Sequence, residues 1–245
     1  MIKGIHSIVS LVRSLIAYIS VSLWVLFLGP PGILLAVLFD WPEVLYMLGR
    51  GGVRLGMATV GITYRVSGCN HIQKNRAAVY CVNHSSNIEP PILYMVLACL
   101  HPKLKILYKD EIHRIPVLSW AFDIAGFVPI DRHSRENSMR AIEKAAEALR
   151  DGNSFLIFPE GTRSITGKLQ RFKKGGFIMA LKGQAAIVPV AIRGTQAAMK
   201  KGSPIIRPTT VSVSLGTPIE VEGLALVQRD NLIAKTYMSI QSLLE

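Results

Sequence analysis

A long stretch without a charged residue, from Ser14 to Phe39, most restricts how this chain can fold. The stretch exceeds the roughly 20 apolar residues that span a lipid bilayer as a helix. Within it, the sequence Gly29-Pro30-Pro31-Gly32 combines the two residue types that most often end a helix. The pattern therefore predicts a helix from about Ile5 to Leu28, a sharp break, and a second apolar helix from about Ile33.

Basic side chains lie on both sides of the uncharged stretch, and they predict how it meets a membrane. Because basic residues stay on the cytoplasmic side, both ends of the stretch should lie there. Residues 1–60 are thus expected to form a membrane-associated hairpin that enters one leaflet, or crosses and returns, at the cytoplasmic face of the cell membrane. A cleaved signal peptide is disfavoured, because no small-residue cleavage site precedes a polar mature start. The flanking basic residues are Lys3, His6, Arg13, Arg50 and Arg54.

From about residue 61 the pattern changes to short apolar strands that alternate with helices, and this predicts one α/β domain over residues 61–245. Its sheet should be mostly parallel and covered by helices. The clearest helix runs from Asn137 to Arg150 and is stopped by Asp151-Gly152. The predicted strands cover residues 63–66, 77–82, 104–108, 127–130, 155–158, 186–192 and 211–215.

The composition limits the classes of partner. Half of the residues are hydrophobic and the formal net charge is +12, which suits anionic lipid head groups or a phosphate-bearing substrate. No DNA- or RNA-binding motif is present, so nucleic acid is not an expected partner. The histidines and three cysteines lack metal-ligand spacing, and neither a metal nor another cofactor is expected.

One polar turn, Asn83-His84-Ser85-Ser86-Asn87-Ile88-Glu89, connects a predicted buried strand to a predicted helix opened by Pro90-Pro91. Across such a turn the carboxylate of Glu89 can accept the Nδ1 proton of His84, leaving Nε2 free to take a proton from a substrate. The turn residues could equally do no more than cap the helix. From this segment alone both interpretations stay open.

A second turn follows another predicted strand, and the two turns should meet. Phe155 to Phe158 is apolar and leads into Pro159-Glu160-Gly161-Thr162-Arg163. Ligands of α/β proteins bind beyond the carboxyl ends of parallel strands, so His84 and this turn should open on the same edge of the sheet. Gly161 permits a close backbone approach, and Arg163 offers a donor fork suited to phosphate.

Together these two motifs resemble the glycerolipid acyltransferase superfamily, and most of all its lysophosphatidate acyltransferases. Two further blocks are similar to that family and come in its order: Lys109-Asp110-Glu111 through Pro116 with Gly126 to Arg132, and Val188-Pro189-Val190. The resemblance covers about residues 60 to 220. The chain departs from the family pattern at one position, where Glu89 stands in place of Asp.

The resemblance implies transfer of a fatty acyl group from acyl-CoA or acyl-carrier protein to lysophosphatidate, by direct attack of the acceptor hydroxyl. It implies that His84 is the general base and that Glu89 orients it. Arg163 and Lys109 would hold the acceptor phosphate, and Glu160 would bond the glycerol or brace Arg163. Gly161 and Thr162 belong to the same acceptor site. Ser85 and Ser86 would support the turn or donate to the oxyanion, since no G-x-S-x-G nucleophile elbow occurs.

Three alternatives remain beside this interpretation. The acceptor could be another lyso-lipid, such as a lyso-ornithine lipid, or glycerol 3-phosphate. Water could replace the alcohol, which would make the protein a thioesterase. Glu89 could also mark a non-catalytic lipid-binding relative that has kept the fold.

Overall fold

The computed structural model describes residues 2–131 and 133–245, so Arg132 of the second motif block lies outside the described residues. Its strands are β1 Ile62–Ser67, β2 Ala78–Val82, β3 Leu104–Lys109, β4 Val128–Ile130, β5 Ser154–Ile157, β6 Ala186–Arg193 and β7 Thr209–Leu215. Its helices are α1 Ile2–Leu38, α2 Glu43–Val60, α3 Glu89–Val96, α4 Pro116–Ile124, α5 Arg135–Arg150, α6 Gly175–Gly183, α7 Thr195–Ala198 and α8 Arg229–Leu244.

The seven strands form one sheet in the order β1-β7-β6-β2-β5-β3-β4. Strands β2 to β6 are mutually parallel, β7 pairs antiparallel with β6, and β1 pairs parallel with β7. The prediction of a mostly parallel sheet covered by helices is therefore confirmed. Since β2 lies between β6 and β5 in the centre, the turn that follows it is flanked by the turns that follow those two strands.

The core is divided by the sheet into two apolar clusters. On one face, α2 and α3 cover the sheet through residues such as Tyr46, Ile92 and Leu93. On the other face, α5, α6 and α8 cover it through residues such as Leu149, Phe177 and Leu232. Strand β2 contributes alternate side chains to both clusters and is buried along its whole length, as expected for a central parallel strand.

The predicted helix break at Gly29-Pro30-Pro31-Gly32 is wrong, because α1 continues through all four residues to Leu38. Each proline removes one hydrogen bond, to the carbonyl of Leu26 or of Phe27, and its ring crowds that carbonyl, but its fixed φ suits a helix. Packing against other helices favours the continuous form: a Cβ at Gly29 would lie 2.7 Å from Val117 of α4, and one at Gly32 2.3 Å from Leu48 of α2.

The apolar element is thus one long helix rather than two apolar helices joined at Gly29. In the described part of the chain, only the segment Ser7–Leu38 is long and apolar enough to cross a membrane, with a mean hydropathy of 2.2. Helix α2 returns along α1, and the Nε1 group of Trp24 donates to the carbonyl of Leu48 over 3.0 Å. A Cβ at Gly52 would lie 3.1 Å from the same indole, so this glycine permits the close approach of the two helices.

Helix α1 is also bonded to the α/β part of the chain. The hydroxyl of Ser14 accepts a hydrogen bond from the backbone N–H of Ile206 over 2.8 Å. The hydroxyl of Tyr18 donates to the carbonyl of Pro204 over 2.7 Å, and Ala17 is buried in the same core cluster as the sheet. The membrane-type helix therefore packs directly on the domain that it precedes.

Candidate active site

Five parallel strands end at one edge of the sheet, and the motif residues gather there. His84 follows β2, Glu160 to Arg163 follow β5, and Lys109 is the last residue of β3. The two turns are joined through the backbone, because the N–H of Ser164 donates to the carbonyl of His84 over 2.7 Å. The strand-end rule applied to the sequence thus placed the two motifs correctly beside each other.

His84 and Glu89 form the central pair of this edge. Nδ1 of His84 lies 2.6 Å from Oε2 of Glu89, whose side chain is completely buried. A carboxylate can only accept in this contact, so Nδ1 carries the proton and Nε2 is left as the acceptor nitrogen. The imidazole also stacks on the ring of Phe158, with centroids 4.1 Å apart. The ring is therefore fixed in both tautomer and orientation.

The Glu89 carboxylate accepts several other hydrogen bonds. Oε1 accepts from the N–H of Ser86 over 3.0 Å, and from both the N–H and the hydroxyl of Ser85, over 3.0 and 2.8 Å. The hydroxyl of Thr195 donates to the same oxygen over 2.6 Å. A buried charge is tolerated only when it is bonded in this way. Both oxygens of the Glu89 carboxylate are therefore hydrogen-bonded.

These contacts bear on the two roles expected for Ser85 and Ser86, which are support of the turn and donation to the oxyanion. Their N–H groups and the hydroxyl of Ser85 all point at Glu89, and the hydroxyl of Ser86 donates to the carbonyl of Met199 over 2.7 Å. The expectation of oxyanion donors does not fit these contacts, because the same hydrogens cannot face a substrate. The alternative, support of the turn, does fit them.

Glu160 is buried and bonds differently from what the motif suggested. Its Oε1 accepts the N–H of His84 over 2.7 Å, and its Oε2 accepts the N–H and the side-chain amide of Gln170, both over 3.0 Å. Burial raises the pKa of the Glu160 carboxyl above its usual range, and these hydrogen bonds oppose the rise. Among the ion pairs of the described residues none joins Glu160 to Arg163, so Glu160 makes no direct ion pair with the arginine that it was expected to brace.

The cationic residues lie at the outer rim of this edge. The carbonyl of Arg163 accepts a hydrogen bond from Nζ of Lys201 over 2.9 Å, which brings a second cation beside the turn. Gly161 adopts a φ of 70°, and a Cβ there would lie 2.8 Å from the side chain of Lys173. Lys109 is half exposed and pairs with Glu111 over 2.5 Å. Thr162 is exposed, and its carbonyl accepts from Gln170.

Two residues of the site were not identified from the sequence. Phe158 is the first residue of the second family motif but was given no role in the site, although an aromatic ring at a strand end can stack on an imidazole. Thr195 follows β6, the other neighbour of β2, so the strand-end rule could have identified it. Among the described residues, no group of three or more His, Cys, Asp and Glu side chains could hold a metal ion.

An apolar cavity of about 300 Å³ is lined in part by Pro90 and Pro91, the two residues that follow Glu89. It extends between the N-terminal helices and helices α3 and α4, and almost all of its surface is hydrocarbon. Its walls include Val21, Trp24 and Val25 of α1, Tyr46 and Gly49 of α2, Pro90 and Pro91 of α3, and Val117, Ala121 and Phe122 of α4.

Comparison with known proteins agrees with this fold. The chain is similar to the crystal structure of the 1-acyl-sn-glycerophosphate (LPA) acyltransferase PlsC from Thermotoga maritima, with a TM-score of 0.78 and 23% sequence identity. The similarity covers 97% of this chain and 98% of that one. At this identity the likeness supports the fold.

Sequence comparison supports the family. The chain is 30% identical over 210 residues to a 1-acyl-sn-glycerol-3-phosphate acyltransferase of Limnanthes douglasii, covering 82% of this chain and 72% of the relative. It is 37% identical over 143 residues to a chloroplastic 1-acyl-sn-glycerol-3-phosphate acyltransferase of Arabidopsis thaliana, covering 58% of this chain and 39% of the relative. A family model described as Acyltransferase matches residues 63–193, which include both motif turns and β6. The chain therefore belongs to the acyltransferase family.

Proposed function

We propose that this protein transfers a fatty acyl group from an acyl thioester to the free hydroxyl of lysophosphatidate and so forms phosphatidate. The observation that carries the proposal is the His84–Glu89 pair at a sheet edge, where Pro90 and Pro91 form part of an apolar cavity wall and the turn with Arg163 is bonded to His84. The apolar cavity suits an acyl chain, and the cationic residues suit the phosphate of a phosphomonoester. The similar proteins named above, from a plant, a chloroplast and a bacterium, carry the corresponding names.

The reaction needs His84 to take up one proton and give it back, and it needs no covalent enzyme intermediate. Nε2 of His84 takes the proton of the acceptor hydroxyl as its oxygen attacks the thioester carbonyl. The C–O bond forms, the C–S bond breaks, and the imidazolium returns the proton to the leaving sulfur. Glu89 stabilises the imidazolium during this transfer through the 2.6 Å contact with Nδ1. Glu160 acts indirectly. Its carboxylate accepts a hydrogen bond from the backbone N–H of His84 and so holds that backbone in place.

The acceptor phosphate is proposed to lie at the cationic rim, bound by Arg163 and Lys109. Arg163 offers paired N–H donors that match phosphate oxygens, whereas Lys109 supplies a point charge from the end of β3. Gly161 and Thr162 belong to the turn that positions Arg163, and Gly161 lets the side chain of Lys173 lie close against the backbone there. This places the acceptor on the β5 side of His84.

Replacing Arg163 by alanine tests this assignment. We expect kcat/KM for lysophosphatidate to fall by about tenfold to a hundredfold, because a charge-assisted bond contributes roughly 1.5–3 kcal/mol. The KM for the acyl donor should change little. The matched control is Arg140→Ala, since Arg140 is an exposed arginine on α5 that pairs only with Glu136 among the described residues. A selective loss of donor affinity in Arg163→Ala would reverse the acceptor and donor sides.

The apolar cavity is proposed to hold the acyl chain. We expect Ala121→Phe to reduce use of long-chain donors much more than use of short-chain donors, because the new ring occupies part of a cavity of about 300 Å³. The measurement is the ratio of kcat/KM values across a series of acyl-CoA lengths. Ala234→Phe, at an exposed helical alanine of α8, is the control. An unchanged length profile in a folded Ala121→Phe protein would exclude the cavity as the acyl site.

Helix α1 is proposed to attach the protein to the cytoplasmic face of the cell membrane. Most side chains of its apolar segment are exposed in the isolated chain, which is unfavourable unless lipid covers them. In this proposal residues 1–60 are the membrane-associated part and residues 61–245 are the acyltransferase domain.

One assay of purified protein in detergent separates the candidate functions. Lysophosphatidate, glycerol 3-phosphate and a neutral lyso-lipid are offered in parallel, each with acyl-CoA and with acyl-carrier protein. We expect phosphatidate as the main product and little transfer to the neutral acceptor. Preference for another acceptor would identify that acceptor as the substrate. Free fatty acid as the main product would indicate a thioesterase. Absence of turnover with every pair would favour a lipid-binding relative.

A further inference from the structure

The segment that follows β6 is bonded at several points to the turn that carries His84. The side-chain amide of Asn83 exchanges two hydrogen bonds with the backbone of Ile192, accepting over 2.8 Å and donating over 3.0 Å. The hydroxyl of Ser86 donates to the carbonyl of Met199. Between these two anchors lies Thr195, whose hydroxyl reaches Glu89. Residues 192–199 therefore form a bracket along one side of the His84 turn.

Thr195 has the strongest contact of this bracket. Its side chain is 1% exposed, and Oγ1 lies 2.6 Å from Oε1 of Glu89 and 3.1 Å from the hydroxyl of Ser85. Gly194 before it has a φ of 89°, a left-handed conformation that turns the chain sharply from β6 into α7. A Cβ at Gly194 would lie 3.2 Å from the carbonyl of Thr210. The local backbone is thus built to direct Thr195 at the carboxylate.

The contact between Thr195 and Glu89 is important because the other groups that bond Glu89 all lie in one turn. Its other donors come from residues 84 to 86, inside the same turn, so they would move together with it. Among the described residues that bond the carboxylate, Thr195 is the one from a different element. It also bonds the oxygen opposite the one that contacts His84. A fixed donor on Oε1 limits rotation of the carboxylate and so holds Oε2 in line with Nδ1.

We infer that Thr195 is a positioning residue for catalysis, which acts on His84 through the carboxylate of Glu89. The longer glutamate side chain carries one more rotatable bond than the aspartate of the family pattern. The donor at the start of α7 offsets the freedom that this bond introduces. The inference rests on the proposed function, because it concerns the proton transfer by His84.

The test compares Thr195→Val, which removes the hydroxyl but keeps the shape, with Thr195→Ser, which keeps the hydroxyl. We expect Thr195→Val to lower kcat about tenfold to a hundredfold, as is typical for loss of a hydrogen bond to a charged group. The KM values for both substrates should stay within about twofold, since no substrate atom is contacted. Thr195→Ser should recover most of the kcat.

Two comparisons separate positioning from mere stability. Thr236→Val removes the hydroxyl of another fully buried threonine, which bonds the carbonyl of Leu232 within its own helix α8, and should leave kcat unchanged. In a Glu89→Gln background, Thr195→Val should add little further loss, because the group through which it acts is already altered. Thermal melting of every variant checks that each is folded.

The outcomes are distinct. If wild type does not acylate lysophosphatidate, the proposed function fails and the inference falls with it. If wild type is active and a folded Thr195→Val keeps its kcat, the inference alone is overturned. Equal losses from Thr195→Val and Thr236→Val, or additive losses with Glu89→Gln, would overturn it as well. Should Thr195→Val not fold, Thr195→Ala replaces it, and failure of both to fold would make the hydroxyl a stability element and contradict the inference.

Discussion

Replacing His84 by alanine is expected to lower kcat by about a hundredfold or more while the protein stays folded, because loss of a general base typically has this effect. The imidazole is partly exposed and stacks on only one ring, that of Phe158, so its removal leaves a small gap at the surface of the sheet edge. Glu89 keeps its bonds from Ser85, Ser86 and Thr195 in the variant. Turnover of lysophosphatidate measures the effect, and thermal melting measures the fold.

His133→Ala provides the control for this experiment, since His133 is an exposed histidine that follows β4 rather than β2. It should match wild type in both measurements. Near-normal turnover in a folded His84→Ala protein would contradict the proposed mechanism, since the hydroxyl proton would then be accepted without His84.

The second large effect is expected from Glu89→Gln, with kcat lower by about a hundredfold to ten-thousandfold. The amide cannot stabilise the imidazolium, and its NH₂ group must face donors that now point at a carboxylate oxygen. Buried donors left without an acceptor cost about 1–3 kcal/mol, so the melting temperature should also fall.

Glu89→Asp gives the informative contrast, because it keeps the charge and restores the residue of the family pattern. We expect it to remain active, with turnover either above or below that of wild type, since the shorter side chain gives the carboxylate a different reach toward Nδ1. The three proteins are assayed side by side. If wild type and Glu89→Gln were equally slow and Glu89→Asp fast, the natural protein would be an impaired enzyme, and the lipid-binding alternative would gain support.

The parts of the fold that follow from local pattern were predictable from the sequence. Strand β2 is a continuous apolar run that ends in a polar turn, and β5 is another, so the strand-end rule alone brought His84 and Glu160 to one edge. The strand-end rule does not predict which groups form hydrogen bonds with each other. Glu160 was therefore assigned to substrate or Arg163, whereas it bonds the backbone of His84, a contact between turns that are 76 positions apart in the chain.

The remaining errors have a similar origin in long-range packing. Pro30 and Pro31 predict a helix end from their missing N–H groups, yet α1 continues because α2 and α4 pack against it at Gly32 and Gly29. Thr195 carries no motif of its own. Its importance comes from the strand order, which places β6 next to β2 although three strands and four helices separate them in the chain.

The N-terminal helices also form walls of the apolar cavity. Val21, Trp24 and Val25 of α1 form one wall, and Tyr46 and Gly49 of α2 form another. A helix that only attached a protein to lipid could drift in sequence as long as it stayed apolar, but here each such exchange reshapes the space available to a hydrocarbon tail. If α1 attaches to lipid and the cavity holds the acyl chain, as proposed, then two faces of one helix serve the two purposes: Leu23, Leu26 and Phe27 are exposed, whereas Val21, Trp24 and Val25 line the cavity.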